Sequence, residues 1–245
     1  MRKIHSHMRI ALIGYGKMGK AIEEIALSRG HEIVLKVGIE NLEDNTTDNI
    51  RKAEVAIEFT GPESAFDNII HCMEAGVPVV SGSTGWLQKL PAVREFVLDN
   101  GHSFLYASNF SVGVNIFFEV NKRLAALMAP HPDYDVRIKE VHHTEKKDSP
   151  SGTAITLAEQ ILEKIPRKKV WVNHNSSTLD DLVIDSERVD PAPGTHIVKY
   201  HSPIDDIEII HTAHNRRGFA TGAVLAAEFI RDKKGVFGMS DVLGF

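Results

Sequence analysis

The chain has 245 residues, 42% of them hydrophobic, 25% charged and 7% aromatic, with a formal net charge of −5. That length supports one large domain or two modest ones with separate cores, and the mildly acidic balance lacks the basic footprint of a nucleic-acid or anionic-membrane binder. No run of about eighteen apolar residues is present to span a membrane, and the one cysteine, Cys72, excludes an intrachain disulfide and fits a reducing, cytoplasmic setting.

The opening MRKIHSHM is basic but lacks the apolar core of a signal peptide, and Met8 reads equally well as a start, so no function attaches to His5 or His7. Residues 8–14 (MRIALIG) predict a buried strand, followed by a helix from Met18 to Ser28 and a second strand over 31–40. After the polar loop NLEDNTTDN come a strand over 53–61, a helix over 63–75, a strand over 77–83, a helix over 87–99 and a strand over 102–108. Cys72 falls within the helical pattern of Phe66, Ile69, Ile70 and Met73, which makes it a buried thiol. Strands alternating with helices of this length predict βαβ units, a parallel sheet and helices on both faces.

After Asn109 the texture changes. A long helix over 113–129 leads to a strand over 134–143 and a helix over 152–165, stopped by Pro166. Strand-like runs at 170–173, 182–189, 195–201 and 206–214 then follow without helices, which predicts an antiparallel or mixed sheet. A final helix over 218–231 and the tail GMSDVLGF return to the first style. The fold expected is α/β: a Rossmann-type doubly wound parallel sheet plus a second, α+β domain. The dinucleotide-binding domain takes 1–108 and 216–245, and the substrate and oligomerisation domain takes 109–215. The two short crossings between them favour a hinge.

Gly14-Tyr15-Gly16-Lys17-Met18-Gly19 form G-x-G-x-x-G between a strand and a helix, with Glu40 closing the next strand. That context is what a dinucleotide requires: a tight turn, close approach of the pyrophosphate, helix amides for the phosphates and an acid for the ribose hydroxyls. The loops with Thr60, with Gly82-Ser83-Thr84 and with Ala107-Ser108-Asn109-Phe110 leave other strand ends. They suit a nicotinamide ribose and carboxamide, and equally read as ordinary turns.

A second site is expected in EVHHTEKKDSPSGTAITL, 140–157. Pro150 suits the first helical position with Ser149 as N-cap, so Ser151, Gly152 and Thr153 would offer unpaired amides to a carboxylate or phosphate. His142 and His143 diverge unless the strand ends there, and Lys146 can swing toward the same cradle. Lys147 reads as solvated and Asp148 as a turn former. Adjacent histidines on a strand, without an accompanying carboxylate or cysteine cluster, predict no metal.

The segments GYGKMG, SNFSVGVN and above all EVHHTEKKDSPSGTA resemble the dihydrodipicolinate reductase family, whose signature is E-x-H-H-x-x-K-x-D-x-P-S-G-T-A. The likeness covers essentially the whole chain, including Arg216, Phe219 and the closing DVL. It implies that His142 is the acid-base residue, Lys146 the catalytic lysine, and His143 with Gly152 and Thr153 the substrate-carboxylate binders. It further implies that Gly82-Ser83-Thr84 and Ala107 through Phe110 contact the cofactor, that the substrate is a cyclic dicarboxylated imine, and that the protein is a homotetramer. A short loop after Glu40 and a serine in place of the first threonine of a Gly-Thr-Thr-like loop depart from the pattern. The expected reaction is NADH- or NADPH-dependent reduction in the diaminopimelate route to lysine, with NADH preferred because Glu40 repels a 2′-phosphate. Another two-domain dehydrogenase of aspartate metabolism and a non-catalytic dinucleotide sensor are the competing readings.

Overall fold

The computed structural model describes residues 7–215 and 217–245, so His5 and Arg216 of the sequence reading lie outside the described residues. In chain order the elements are β1 (Arg9–Ile13), α1 (Lys17–Ser28), β2 (Glu32–Val37), α2 (Thr47–Ile50), β3 (Val55–Glu58), α3 (Ala65–Glu74), β4 (Val79–Ser81), α4 (Leu90–Asn100) and β5 (Ser103–Tyr106). There follow α5 (Val112–Met128), β6 (Asp135–His142), α6 (Gly152–Lys164), β7 (Val170–Val172), β8 (Asp181–Arg188), β9 (Thr195–His201), β10 (Asp206–Thr212), α7 (Arg217–Ile230), β11 (Gly235–Phe237) and α8 (Met239–Leu243). These divide into two compact units, Met1–Val112 with Arg217–Phe245, and Gly113–Arg216. Among the described residues no helix is long and apolar enough to cross a membrane.

The first unit is one all-parallel sheet of order β11-β5-β4-β3-β1-β2. Its strands are nearly continuous apolar runs because both faces are covered. Ile10 and Leu12 of β1 join one core with Ile22 of α1 and Val224 of α7, while Ala11 and Ile13 join the opposite core with Ile69 of α3 and Val93 of α4. Each such Ile, Leu or Val side chain, fully buried, contributes roughly 1.5–3 kcal/mol. The chain moves one way from β1 to β2 and the other way from β1 to β3. Such a reversal opens a crevice at the carboxyl ends of the strands.

Two details differ from the sequence reading. The loop at 41–49 carries a short 3-10 turn (Leu42–Asp44) and the start of α2, whose N-cap Thr46 accepts a hydrogen bond from the Asn49 amide at 3.3 Å. β11 was not foreseen. At three residues it is too short to show a period, and it forms by parallel pairing with β5 at the sheet edge.

The second unit is a mixed sheet of order β10-β9-β6-β8-β7, in which β9 is antiparallel to both neighbours while β6, β8 and β7 run parallel. Phe117 of α5 and Leu157 and Ile161 of α6 cover one face together with Val136 and Ile138 of β6. Burial along β6 alternates, and the inward set is Val136, Ile138, Glu140 and His142. The same period that buries two aliphatic residues therefore buries an acid and a histidine. Buried polar groups of this kind require partners, and those partners form the site.

Candidate active site

A cavity of about 680 Å³ opens at the ends of β1, β2 and β3, with Gly14, Tyr15, Gly16, Lys20, Glu40 and Thr60 among its lining. Gly14 has φ +103°, and a Cβ there would lie 2.1 Å from the Phe59 carbonyl oxygen. A Cβ at Gly19 would lie 2.4 Å from the Gly14 carbonyl oxygen, whereas one at Gly16 would meet nothing within 4 Å. The first and third glycines thus make the turn and the packing, and the second leaves its side open. α1 starts beyond Gly16 with no side-chain cap and no acid in its first turn, so its amides and partial positive charge remain for an anion. These features fit the pyrophosphate of a dinucleotide.

Lys17 and Met18 do not line this cavity; Lys20, one turn along α1, does. Lys36 is held by Glu23 at 2.5 Å, and Glu23 also accepts from the Tyr15 hydroxyl. Hydrogen bonds from Lys36 and Tyr15 hold the Glu23 carboxyl below its usual range, and Glu23 raises Lys36 in turn. Glu40 is exposed and stands three residues past Val37, the last residue of β2, not at the strand end. The strand stops early because Asn41 ties a turn: its side chain accepts from the Gly38 amide at 2.7 Å and donates to the Lys36 carbonyl at 2.8 Å.

The loops expected at the nicotinamide end converge on a residue the sequence reading missed. Glu58, fully buried at the end of β3, accepts from the Thr60 amide (2.8 Å), Thr60 Oγ1 (2.5 Å), Ser81 Oγ (2.6 Å) and Ser83 Oγ (2.7 Å). Its carboxylate locks the Thr60 and Gly82-Ser83-Thr84 loops together. The available signal was an acid ending an apolar strand, with serines on the next strand and loop. Ser108 is exposed and Ala107 half-buried, and Asn109 accepts from the Ser111 amide at 2.9 Å. The Phe110 ring is a core group, 5.6 Å from Phe59, rather than a cavity wall. Burial, then the charge of Glu58, pushes the Cys72 thiol up to about 12, which makes it inert.

In the second unit, cross-strand register assembles the remaining cluster. Glu140 lies opposite His196 of β9 and Ser186 of β8, and His142 lies opposite Arg188. Glu140 accepts from Ser186 Oγ at 2.7 Å, from the Ser151 amide at 3.1 and 3.2 Å and from Arg188 at 3.3 Å. His142 Nε2 stands 3.4 Å from Glu140 and 3.4 Å from His196 Nε2, and His196 Nε2 is 3.1 Å from Ser151 Oγ. Burial by itself would raise the Glu140 carboxyl. Hydrogen bonds from His142, His196, Ser151 and Ser186 outweigh it and hold the group far below the carboxylate range. Burial lowers His196 below the ordinary histidine value, opposed by its hydrogen bond to Glu140.

Several expectations are corrected here. A carboxylate does accompany the histidines: donor atoms of Glu140, His142 and His196 lie within 4.8 Å of one another. Glu140 is nonetheless committed to Ser186, Ser151 and Arg188. The N-cap of α6 is Ser151, not Ser149, and the helix starts at Gly152 rather than at Pro150. Ser151 Oγ accepts from the Ala154 amide at 3.2 Å while its own amide donates to Glu140, so Ser151 offers no free amide. The amides of Gly152 and Thr153 open the helix, and a Cβ at Gly152 would meet nothing within 4 Å. Lys146 reaches both oxygens of Asp148 at 2.8 Å, so Asp148 is an ion-pair partner as well as a turn residue, and Lys146 lowers its carboxyl. His143 is half-buried just past β6, beside Thr144, whose amide and hydroxyl donate to Asp190 at 3.0 and 2.6 Å.

Two family models match: residues 8–110 match "Dihydrodipicolinate reductase, N-terminus" and residues 113–243 match "Dihydrodipicolinate reductase, C-terminus". A 4-hydroxy-tetrahydrodipicolinate reductase of Christiangramia forsetii is 50% identical over 236 residues, 96% of this chain and 98% of that one. Its counterpart in Methanosarcina barkeri is 38% identical over 233 residues, 94% of this chain and 81% of that one. Among solved structures, the dipicolinate-bound dihydrodipicolinate reductase of Paenisporosarcina sp. TG-14 superposes with a TM-score of 0.76 at 23% identity. The match covers 95% of this chain and 97% of that one.

Proposed function

The chain belongs to the dihydrodipicolinate reductase family, and on that premise we propose that the glycine-loop cavity is its cofactor site and the cluster around His142 its substrate site. The reaction is the NAD(P)H-dependent reduction of 4-hydroxy-tetrahydrodipicolinate to tetrahydrodipicolinate, a step of lysine biosynthesis by way of diaminopimelate. The observation that carries the assignment of the sites is the family signature folded around one helix start. His142, Lys146 and the amides of Gly152 and Thr153 all flank the entry to α6.

When bound, the reduced nicotinamide supplies the hydride. The chain's own residues bind, orient and protonate. The Gly152 and Thr153 amides, aided by the helix dipole, hold a substrate carboxylate, and His143, on the loop leading to α6, serves as a second carboxylate partner. Lys146 neutralises the substrate's negative charge, exchanging Asp148 for it. His142, 8% exposed and backed by Glu140, donates the proton. Its shielding from water strengthens every charge interaction it makes.

On the cofactor side, Gly14 through Gly19 hold the pyrophosphate, and Glu40 accepts from the adenosine ribose. Thr60, the Gly82-Ser83-Thr84 loop and Ala107 to Asn109 receive the nicotinamide end. NADH is the preferred cofactor because Glu40 opposes a 2′-phosphate. Lys20, which makes no ion pair among the described residues, lets NADPH be tolerated. A cytoplasmic homotetramer completes the proposal; exposed Ile210, on edge strand β10 and on the face opposite core-packed Ile209, supports association through this sheet. The protein is tested by mixing it with reduced cofactor and the freshly made condensation product of aspartate semialdehyde and pyruvate. Loss of the reduced-nicotinamide absorbance is expected, and its absence would remove the reading.

A further inference from the structure

A histidine that donates a proton must be held in one tautomer and must have its cationic form stabilised, and a carboxylate behind the ring does both. Glu140 meets those requirements. It is fully buried, shares the inward face of β6 with His142, and its oxygen stands 3.4 Å from His142 Nε2. Its remaining lone pairs are filled by Ser186 Oγ, the Ser151 amide and Arg188, so the carboxylate is ionised and cannot rotate. The Nε2 atoms of His142 and His196 stand 3.4 Å apart, and two N–H groups at that distance cannot point at each other. If both carry a proton, each must aim it at another acceptor.

The surroundings of His196 fix the position of its own proton. Its Nδ1 is buried without a partner among the described residues, and a buried orphan N–H is rarer than an unfilled lone pair. The proton of His196 is therefore assigned to Nε2, where it can donate to Ser151 Oγ at 3.1 Å or Glu140 at 3.6 Å. With the His196 proton aimed away, the ionised Glu140 carboxylate 3.4 Å from His142 Nε2 is the acceptor for an Nε2–H on that ring, which makes Nδ1 the nitrogen that exchanges a proton. Gly194 borders that edge: a Cβ there would lie 2.9 Å from His142 Cε1 and 3.2 Å from Nδ1. The missing side chain keeps protein atoms off the exchanging nitrogen. The charged and titratable groups around this ring are Glu140 from β6, His196 from β9 and Arg188 from β8, with Lys146 of the loop leading to α6 acting on His196.

We propose that Glu140 and His196 are positioning residues for the reaction: Glu140 fixes the tautomer of His142 and stabilises its imidazolium, while through the Ser151 amide it ties that acid to the start of the carboxylate-binding helix. His196 fills the space between the His142 ring and Ser151, which leaves Glu140 as the acceptor for the His142 Nε2–H. Neither touches substrate, and both act through His142. This inference rests on the reading of His142 as the proton donor.

The test is the pH profile of kcat for Glu140→Gln, which keeps the size and the acceptor for Ser151 but removes the charge. With the charge gone the imidazolium is disfavoured, so the limb along which kcat falls with rising pH moves to lower pH. At the alkaline end kcat falls about 10- to 100-fold, and at the acid end much less. The Kd values for NADH and for dipicolinate, used as an unreactive planar dicarboxylate, stay within about threefold. In a His142→Ala background, adding Glu140→Gln lowers kcat by less than about twofold, because a residue acting through another adds nothing once that other is gone. An equal loss at every pH, or a loss that multiplies with that of His142→Ala, overturns the proposal. If Glu140→Gln does not fold, His196→Gln serves: a loss of about 3- to 10-fold with the same displaced limb is expected, and an unmoved profile overturns it. Retention of kcat within about fivefold by His142→Ala would instead refute the reading on which this rests.

Discussion

The glycine-loop cavity has backbone at one end, from the G-x-G-x-x-G turn and the uncapped start of α1. The histidine cluster is bounded by side chains from β6, β8, β9 and the start of α6, gathered around a carboxylate with no exposure. On the proposed assignment the first site recognises an invariant diphosphate and fails when a side chain intrudes on that turn. The second, on the same assignment, tunes protonation and fails when a charge is removed, even if its shape survives. Geometry limits one region and electrostatics the other.

The largest effect should come from removing chemistry from the second region. His142→Ala and Lys146→Ala are expected to lower kcat about a hundredfold to ten-thousandfold, while His143→Ala mainly raises KM for the substrate. Steady-state kinetics on the three variants decide it, and losses under about fivefold for the first two would place the chemistry elsewhere.

Intrusion into the first region comes next. Gly14→Ala places a methyl 2.1 Å from the Phe59 carbonyl oxygen on a backbone at φ +103°, so the loop must move. NADH affinity, read by fluorescence titration, should fall more than about tenfold, with dipicolinate affinity held within about twofold. A parallel loss of both would erase the distinction between the regions.

Cofactor choice sharpens the same contrast, because it is the one property of the first region set by side-chain charge. NADH should exceed NADPH in kcat/KM by a few-fold to about tenfold. Glu40→Gln should narrow the gap and Lys20→Ala should widen it. A preference of about tenfold for NADPH in the unaltered protein would overturn the role of Glu40.

Acid sensitivity tests the charge balance of the second region. Burial depresses His196 in the fold, so below the unfolded value of about 6.5 the unfolded chain takes up a proton that the folded chain refuses. Stability is thus present above that pH and is lost as pH falls. Glu140, also depressed, adds a further loss below about pH 4.3. Between about pH 7.5 and 5.5, His196→Gln should reduce the fall in Tm by about 2–4 °C, measured calorimetrically. An equal fall in both proteins would show that His196 is protonated when folded.

The smallest effect tests the helix start. Gly152→Ala meets nothing within 4 Å and suits a helix, so Tm should hold or rise slightly. KM for the substrate should rise about threefold with that for NADH unchanged. No rise would mean that the carboxylate does not approach Gly152.

What the sequence by itself determined is local. The G-x-G-x-x-G turn, the apolar strands alternating with helices, and the run from Glu140 to Ala154 are each written in contiguous residues, because backbone periods and turn chemistry act over a few positions. Even the shared face of Glu140 and His142 was there to be read, two positions apart on a strand whose alternation begins at Val136. The tertiary structure decided the rest. His196 and Arg188 reach Glu140 only through the register of β9 and β8 against β6. The capture of the Ser151 amide by Glu140 moved the start of α6 from Pro150 to Gly152, and Glu58 draws the Ser81 and Ser83 hydroxyls from a different strand and loop. Register and strand order are set by burial of the whole sheet, so partners some fifty residues apart in sequence are fixed by the packing of residues that take no part in the site.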